Sequence, residues 1–416
     1  MSAEEPVDVS VDDDCPDDAS PTLSLLNLPV EIFLHICSFL DASTLVHGLG
    51  RVCKQFHGIL RDDSLWKIRI SQIWPNSRYP VLPPDEDDEL FWKLSCVGME
   101  KQLSYWSDTS SVDNFELEGG HDSTSIDGLL LMHGGNTVIS GGRDRSLVCW
   151  NLNTSEIEGS SLKYAVRSMA HEGWIWDVAA VENTIYSCSW DQTVKSWALG
   201  DSGLELITRF EFDVTGALLC ITSSDSTNTL ATGSSCKNVI LFDPRLGRTP
   251  IAMYRPHRGP VLNIVTNGNY VLSASQDRTI SVWDQRTRNV MKTIEISKEF
   301  YPMSMEMQKD IVHVGDSGGN LRVLDPKRDF EPVKCYATGH TRGITGLRCT
   351  SGSLITGSLD KTVRILSPTD PPQVIACLSS PQGEVAGMDY SDGVLAVSGL
   401  NIQIWKPKTA ITSESS

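Results

Sequence analysis

Two kinds of apolar spacing divide this chain. Between residues 22 and 70, hydrophobic side chains recur every three or four positions. Ile32, Phe33, Ile36, Phe39 and Leu40 fall on one face of a helix that begins near Pro29, a residue suited to a first helical turn. Asp41 and Ser43 read as turn or cap residues before a short second helix, which Gly48 and Gly50 loosen. Val52, Phe56, Ile59 and Leu60 mark a third helix, and Leu65, Trp66, Ile68 and Ile70 close the segment. Pro75, Pro80, Pro83 and Pro84 then interrupt the pattern. Residues 90–106 return to helical spacing through Leu90, Leu94 and Val97. From about residue 115 the period changes. Short β-branched runs alternate with Gly, Asp, Asn and Ser turns as far as Trp405.

Across this strand-rich region a single pattern returns seven times: Ser or Thr, Asp four residues on, and a large apolar residue six further. Ser140–Asp144–Trp150, Ser187–Asp191–Trp197 and Ser273–Asp277–Trp283 are full copies. Thr356–Asp360–Leu366 keeps the polar pair, and weaker copies end at Phe242, Leu324 and Trp405. Successive end residues lie 39 to 47 positions apart. His171, His257 and His340 precede their Asp by 20 residues, and His121 precedes Asp144 by 23. The weak copies carry Cys236, Gly318 and Gly399 at the Asp position and lack the histidine as well. His and Asp are kept or lost together, as a hydrogen-bonded buried pair requires, because half a pair leaves an orphan polar group. His121, His171, His257 and His340, with Asp144, Asp191, Asp277 and Asp360, are therefore assigned to structure.

The period, the turn Asp, the upstream histidine and the strand-end Trp resemble the WD-repeat family. The resemblance implies an all-β seven-bladed propeller over residues 106–408, and a binding platform rather than a catalyst. WD repeats straddle blades, so the ring needs a closing strand. Residues 106–118 are expected to pair beside 401–405 and leave few exposed edges. The blades ending at Phe242, Leu324 and Trp405 are expected to exchange backbone amides fastest.

In the helical segment four blocks stand in order: Leu28-Pro29 with Glu31-Ile32, Phe39-Leu40-Asp41, Val52-Cys53 with Phe56, and Leu65-Trp66. This resembles the F-box family, at the family's spacing. It implies a small all-α domain over residues 22–70 that docks on the Skp adaptor and, through it, on cullin and RING subunits. The residues it implies for adaptor binding are Leu28, Pro29, Ile32, Ile36, Leu40, Leu45, Val52, Phe56 and Trp66. A physical argument agrees. A segment of about 50 residues buries a smaller share of its surface than a large domain. This one has more apolar positions than a three-helix core needs, so some should be exposed and await a partner. Together the helical and strand-rich segments resemble the F-box/WD-repeat substrate receptors of SCF-type ubiquitin ligases. There the F-box tethers, the propeller selects a protein substrate, and the RING subunit recruits the ubiquitin carrier.

Composition narrows the alternatives. The net charge is −18, but the first twenty residues alone hold eight acids and no base, and Asp85 to Glu89 adds five more. Residues 1–21 and 409–416 are expected to be disordered, and 71–105 to be a linker with an acidic loop and a helix. The chain lacks the basic footprint of a nucleic-acid binder. It also lacks an uninterrupted apolar run of about 18 residues, so no membrane helix is expected. Eleven cysteines without a CxxC pair or zinc-ligand spacing read as thiols in a reducing, intracellular compartment, cytoplasmic or nuclear. No metal or cofactor is expected. With no Gly-rich phosphate loop, HExxH or GxSxG elbow, the chain reads as a non-catalytic subunit.

The turn Asp and the histidine loops share one propeller face. Next to the turns stand Arg143, Arg145, Trp190, Lys237, Arg278 and Lys361; just after the histidines stand Trp174, Trp176 and Arg342. Such a basic, aromatic face suits an acidic or phosphorylated segment, with Trp176 and Trp190 as anchors. The competing reading is a scaffold that assembles complexes without turning over what it binds. The two differ in whether propeller-bound proteins accumulate when Leu28 and Pro29 are both changed to Ala.

Overall fold

The computed structural model describes residues 25–74, 90–153, 163–200, 203–212, 216–224, 226–308, 311–350, 352–380 and 383–408. The acidic N-terminal run, the acidic loop at 85–89 and the tail at 409–416 lie outside the described residues. The chain divides into two compact units, residues 1–65 and 66–416. The division falls within a helix, α3 (Asp63–Ile73), a few residues before the boundary at 70 expected from apolar spacing.

In the first unit, Pro29 caps α1 (Val30–Cys37); its carbonyl accepts from the amides of Ile32 and Phe33. Asp41 caps the next turn, its carboxylate accepting from the Thr44 amide at 2.7 Å and the Thr44 hydroxyl at 2.6 Å. That turn is a π-helical one, Thr44–Gly48, followed by a 3-10 turn, Leu49–Arg51. The two glycines thus replace the regular second helix with two short irregular ones. Cys53 Sγ caps α2 (Lys54–Leu60) by accepting from the Phe56 amide. Phe33 and Phe56 stack with centroids 4.5 Å apart, and Cys37, Ala42, Leu45 and Leu60 are buried with them.

The second unit contains seven four-stranded antiparallel sheets. Blades 1 to 6 are continuous in sequence, from Ile126–Met132 in the first blade to Val374–Ser379 in the sixth. Blade 7 takes three strands from the end of the chain, Gly387–Ser391, Val394–Ser398 and Ile402–Pro407. Its fourth is Val112–Leu117, which runs antiparallel to the last, with Val112 opposite Pro407 and Leu117 opposite Ile402. The expected closure of the ring is therefore present. Trp106 belongs instead to a helix, α4 (Phe91–Ser107), so the closing strand is shorter than the segment 106–118. Leu117 sits in the core with Trp150, Ile402 and Ile404. Gln102 of α4 accepts from the hydroxyls of Thr350 and Ser353, both at 2.7 Å, and Trp106 packs with Ile355 and Trp405. Arg69 of α3 is ion-paired with Glu100 of α4.

Along the innermost strands of blades 1 to 6 the register slips at the same place, across Asp127, Trp176, Leu219, Leu262, Met303 and Thr345. A bulge of this kind re-aims one side chain at the strand's start. Asp127 and Trp176 reach the mouth of the central channel by this means.

Candidate protein-binding surfaces

The blade turns are built from the residues the repeat pattern singled out. In blade 2 the Trp197 indole donates to Ser187 Oγ at 2.9 Å, and Ser187 Oγ lies 2.7 Å from His171 Nε2. His171 Nδ1 lies 2.8 Å from Asp191. The chain of donors fixes the tautomer: the serine hydroxyl donates to Nε2, and the Nδ1 proton goes to the carboxylate. Trp150, Ser140, His121 and Asp144 repeat this in blade 1, and Thr356, His340 and Asp360 in blade 6. Blade 4 departs. His257 bonds Ser273 at 2.8 Å and lies 3.3 Å from Asp277, yet the Trp283 indole nitrogen has no partner among the described residues. Its ring stacks instead on Tyr254 of blade 3, centroids 3.9 Å apart. The copy that looks fullest in sequence is thus incomplete in space, because a neighbouring tyrosine offers the indole a flat apolar face.

Burial holds the imidazoles of His171, His257 and His340 below their ordinary value. Burial alone would raise the carboxyls of Asp191 and Asp360. The hydrogen bonds they accept outweigh it, holding Asp191 far below the carboxylate range and Asp360 at about 2. For these five groups the unfolded chain takes up protons that the fold refuses. Their contribution is complete above about pH 6.5. The histidine part declines as the unfolded-state histidines protonate, a range in which Asp177 and Glu306, whose carboxyls burial raises, act in the opposite sense; the aspartate part is lost between about pH 4 and pH 2. Thermal midpoints should therefore fall more steeply from pH 4 to pH 3 than from pH 7 to pH 4. A midpoint that holds from pH 4 to pH 3 would contradict the aspartate contribution.

Among the weak repeats, blade 5 has a substitute that the spacing did not announce. Asp316, fully buried two residues before Gly318, accepts from the amides of Gly318 and Asn320, from the Asn320 side chain and from Arg322 Nε at 2.9 Å. Blade 3 has a smaller device, Thr232 donating to the Cys220 carbonyl at 2.8 Å.

The residue after each turn position is left-handed in six blades: Arg145, Gln192, Lys237, Arg278, Gly319 and Lys361 have φ between 70° and 81°. Arg145, Lys237, Arg278 and Lys361 therefore stand one per blade and do not converge. Of these four only Lys361 lines the central channel. The expected basic face is also partly neutralised from within. Arg143 donates to both oxygens of Asp127, at 2.8 and 3.1 Å. Arg342 is ion-paired with Glu384, and Arg278 donates to the Lys298 carbonyl.

Arg143, Trp176 and Trp190, from the expected substrate-binding set, do come together, and Trp174 joins them. The three indoles form a cluster with centroids 5.3 to 6.3 Å apart. The Arg143 guanidinium lies 5.2 Å from the Trp174 ring and 4.9 Å from that of Trp176. Trp174 is 42% and Trp190 50% exposed. This shelf borders a central channel of about 1250 Å³ whose wall includes Asp127, Arg143, Trp176, Asp177, Glu306 and Arg348. Inside it, Arg348 bridges Asp389 at 2.8 Å and Glu306 at 3.3 Å. The Asp177 carboxylate accepts from the amides of Val178 and Ile221, both at 2.9 Å. Asn263, one residue past the register slip as Asp177 is, accepts likewise from the Met305 amide. Asp127, Asp177, Asn263, Glu306, Arg348 and Asp389 were not singled out in the sequence.

The first unit presents a second surface. Phe39 is 77%, Val52 68% and Ile32 48% exposed; Leu25, Leu26, Pro29 and Val30 are exposed too. Leu28, Ile36 and Leu40 are half-buried. Leu45 and Phe56, expected among the adaptor contacts, are interior because Phe56 stacks on Phe33 to form the core. Trp66, in the second unit, is fully buried as well. Phe39, outside that set, is the most exposed large hydrophobic side chain among the described residues. Among the described residues no cluster could hold a metal ion, and no helix is long and apolar enough to cross a membrane.

Residues 25–69 match the F-box-like family, and residues 112–151, 163–198, 248–284 and 331–367 match the WD domain, G-beta repeat. The four matched repeats are those with the His–Asp pairs. Over 391 residues the chain is 34% identical to F-box/WD repeat-containing protein 9 of Bos taurus and 32% identical to the protein of that name from Homo sapiens. Each alignment covers 92% of this chain and 82% of the relative. F-box/WD repeat-containing protein mec-15 of Caenorhabditis elegans is 27% identical over 388 residues, 90% of this chain and 92% of that one. With a helical F-box-like unit, a seven-bladed ring and this similarity along nearly the whole chain, the protein belongs to the F-box/WD-repeat family.

Proposed function

We propose that this chain is the substrate-recognition subunit of an SCF-type cullin–RING ubiquitin ligase. Its F-box unit binds the Skp adaptor, and its propeller holds a protein substrate for ubiquitin transfer by other subunits. The observation that carries the reading is the exposed set Ile32, Phe39 and Val52 on a unit whose own core is filled by Phe33, Leu45 and Phe56. Apolar side chains displayed this far on so small a unit gain most when a partner covers them. Leu28, Pro29, Ile36 and Leu40, exposed or half-buried, join the contact. The propeller contributes recognition and no chemical step.

The test uses the full chain with Ile32→Asp and Val52→Asp together. Both positions are exposed, so the thermal midpoint is expected to hold. Copurification of the Skp adaptor should fall at least ~30-fold, as for loss of an interface hot spot. In cells, proteins bound by the propeller should accumulate. Adaptor retained at wild-type level would sink the docking assignment. Adaptor lost with no change in bound proteins would favour the scaffold reading.

A further inference from the structure

We propose that the propeller recognises a basic segment of its substrate, with a Lys or Arg side chain passing over the Trp174–Trp176–Trp190 shelf into the central channel. This rests on the substrate-receptor reading and adds the substrate's chemical class.

Three features point the same way. The first is the shelf itself. Its rings already carry a guanidinium, that of Arg143, at cation–π distance from Trp174 and Trp176. The chain thus displays on its own surface the kind of charge the rings accept, while Trp190 keeps half of its surface open. The second is that the cation on the shelf is not offered to an anion. Asp127 takes two of its hydrogen bonds, so a phosphate arriving there would face a carboxylate.

The third is the charge of the channel behind the shelf. Asp177 follows Trp176 directly and stands one residue past its register slip, whereas Glu306 and Arg348 stand three past theirs. Two residues of strand place them about 7 Å deeper. There the carboxylates of Glu306 and Asp389 share the Arg348 guanidinium, and Asp177 adds a third negative charge to its surroundings. Burial presses the Asp177 carboxyl up to about 6 and raises that of Glu306. A cation entering the channel relieves that cost, and an anion adds to it.

The experiment selects peptides on the immobilised full chain from a degenerate nonapeptide library containing Lys, Arg, Asp, Glu and phosphoserine in equal amounts. The expected result is enrichment of Lys or Arg at one position by about tenfold or more. Two variants accompany it. Glu306→Gln keeps the side chain's shape and its contact with Arg348, and Trp190→Ala changes an exposed ring; both should retain the wild-type melting midpoint. Each should cut the enrichment to less than about twofold. Enrichment of phosphoserine, Asp or Glu, or of nothing, overturns the inference. So does a basic preference that survives both variants. An acidic preference would leave the receptor reading intact. Failure of the adaptor test above would leave the peptide preference intact, so the two can fail separately.

Discussion

A chain lacking residues 112–117 is expected to lose its folded propeller. The deletion strips the hydrogen-bonded neighbour from Ile402–Pro407, turning a paired strand into an open edge. It also removes Leu117 and Phe115 from their packing against Trp150, Ile402 and Ile404. Leu117, which is buried, contributes roughly 1.5–3 kcal/mol, and the half-buried Phe115 less. Together with the lost backbone pairing, the total takes up much of the roughly 5–15 kcal/mol by which a domain is stable. Thermal melts and limited proteolysis should show an early, broad transition and cleavage within blade 7. A shortened chain that melts within a few degrees of the full one would show that the closing strand is dispensable.

The second large effect belongs to Asp316. Changing it to Ala should cost about 3–5 kcal/mol, because it leaves a largely buried guanidinium and two backbone amides without their acceptor. Cys236→Ala, at the turn position of blade 3, removes no such network and should cost less than about 1 kcal/mol. Chemical denaturation of the two variants decides the matter; an Asp316→Ala cost below about 1 kcal/mol would mean the network is solvated in practice. The same network revises the expected order of amide exchange. Blades 3 and 7 remain the fast ones, and blade 5 joins those with a buried carboxylate at the turn.

What was legible in the chain was whatever repeats or whatever is local. The His–Asp pairs could be read because each recurs at a fixed distance within one repeat. The missing outer strand could be read because a ring of straddled repeats must end one strand short. Asp127, Asp177, Glu306, Arg348 and Asp389 could not. Asp127 meets Arg143 of its own blade, but the contacts of the others join different blades, with Arg348 bonded to residues 41 and 42 positions away and Asp389 accepting from the Leu131 amide 258 positions away. A lone polar residue inside a strand looks the same whether it faces water or a channel. The helical unit shows another limit. Three- and four-residue spacing marks Phe33, Phe56, Ile32 and Phe39 alike as apolar. It cannot say which pair stacks inside and which stands exposed. Trp283 marks a third limit, since its stacking partner Tyr254 comes from the preceding blade.

The pairing of Val112–Leu117 with Ile402–Pro407 also sets an order of events during synthesis. Glu116 and Asn401, hydrogen-bonded across the closure, are 285 residues apart. At about 5–20 residues per second, a ribosome needs roughly 15–60 s to travel between them. Throughout that interval the ring is open, and the unit ending at Leu65 is already outside. The newborn chain has its helical unit complete well before its propeller can close.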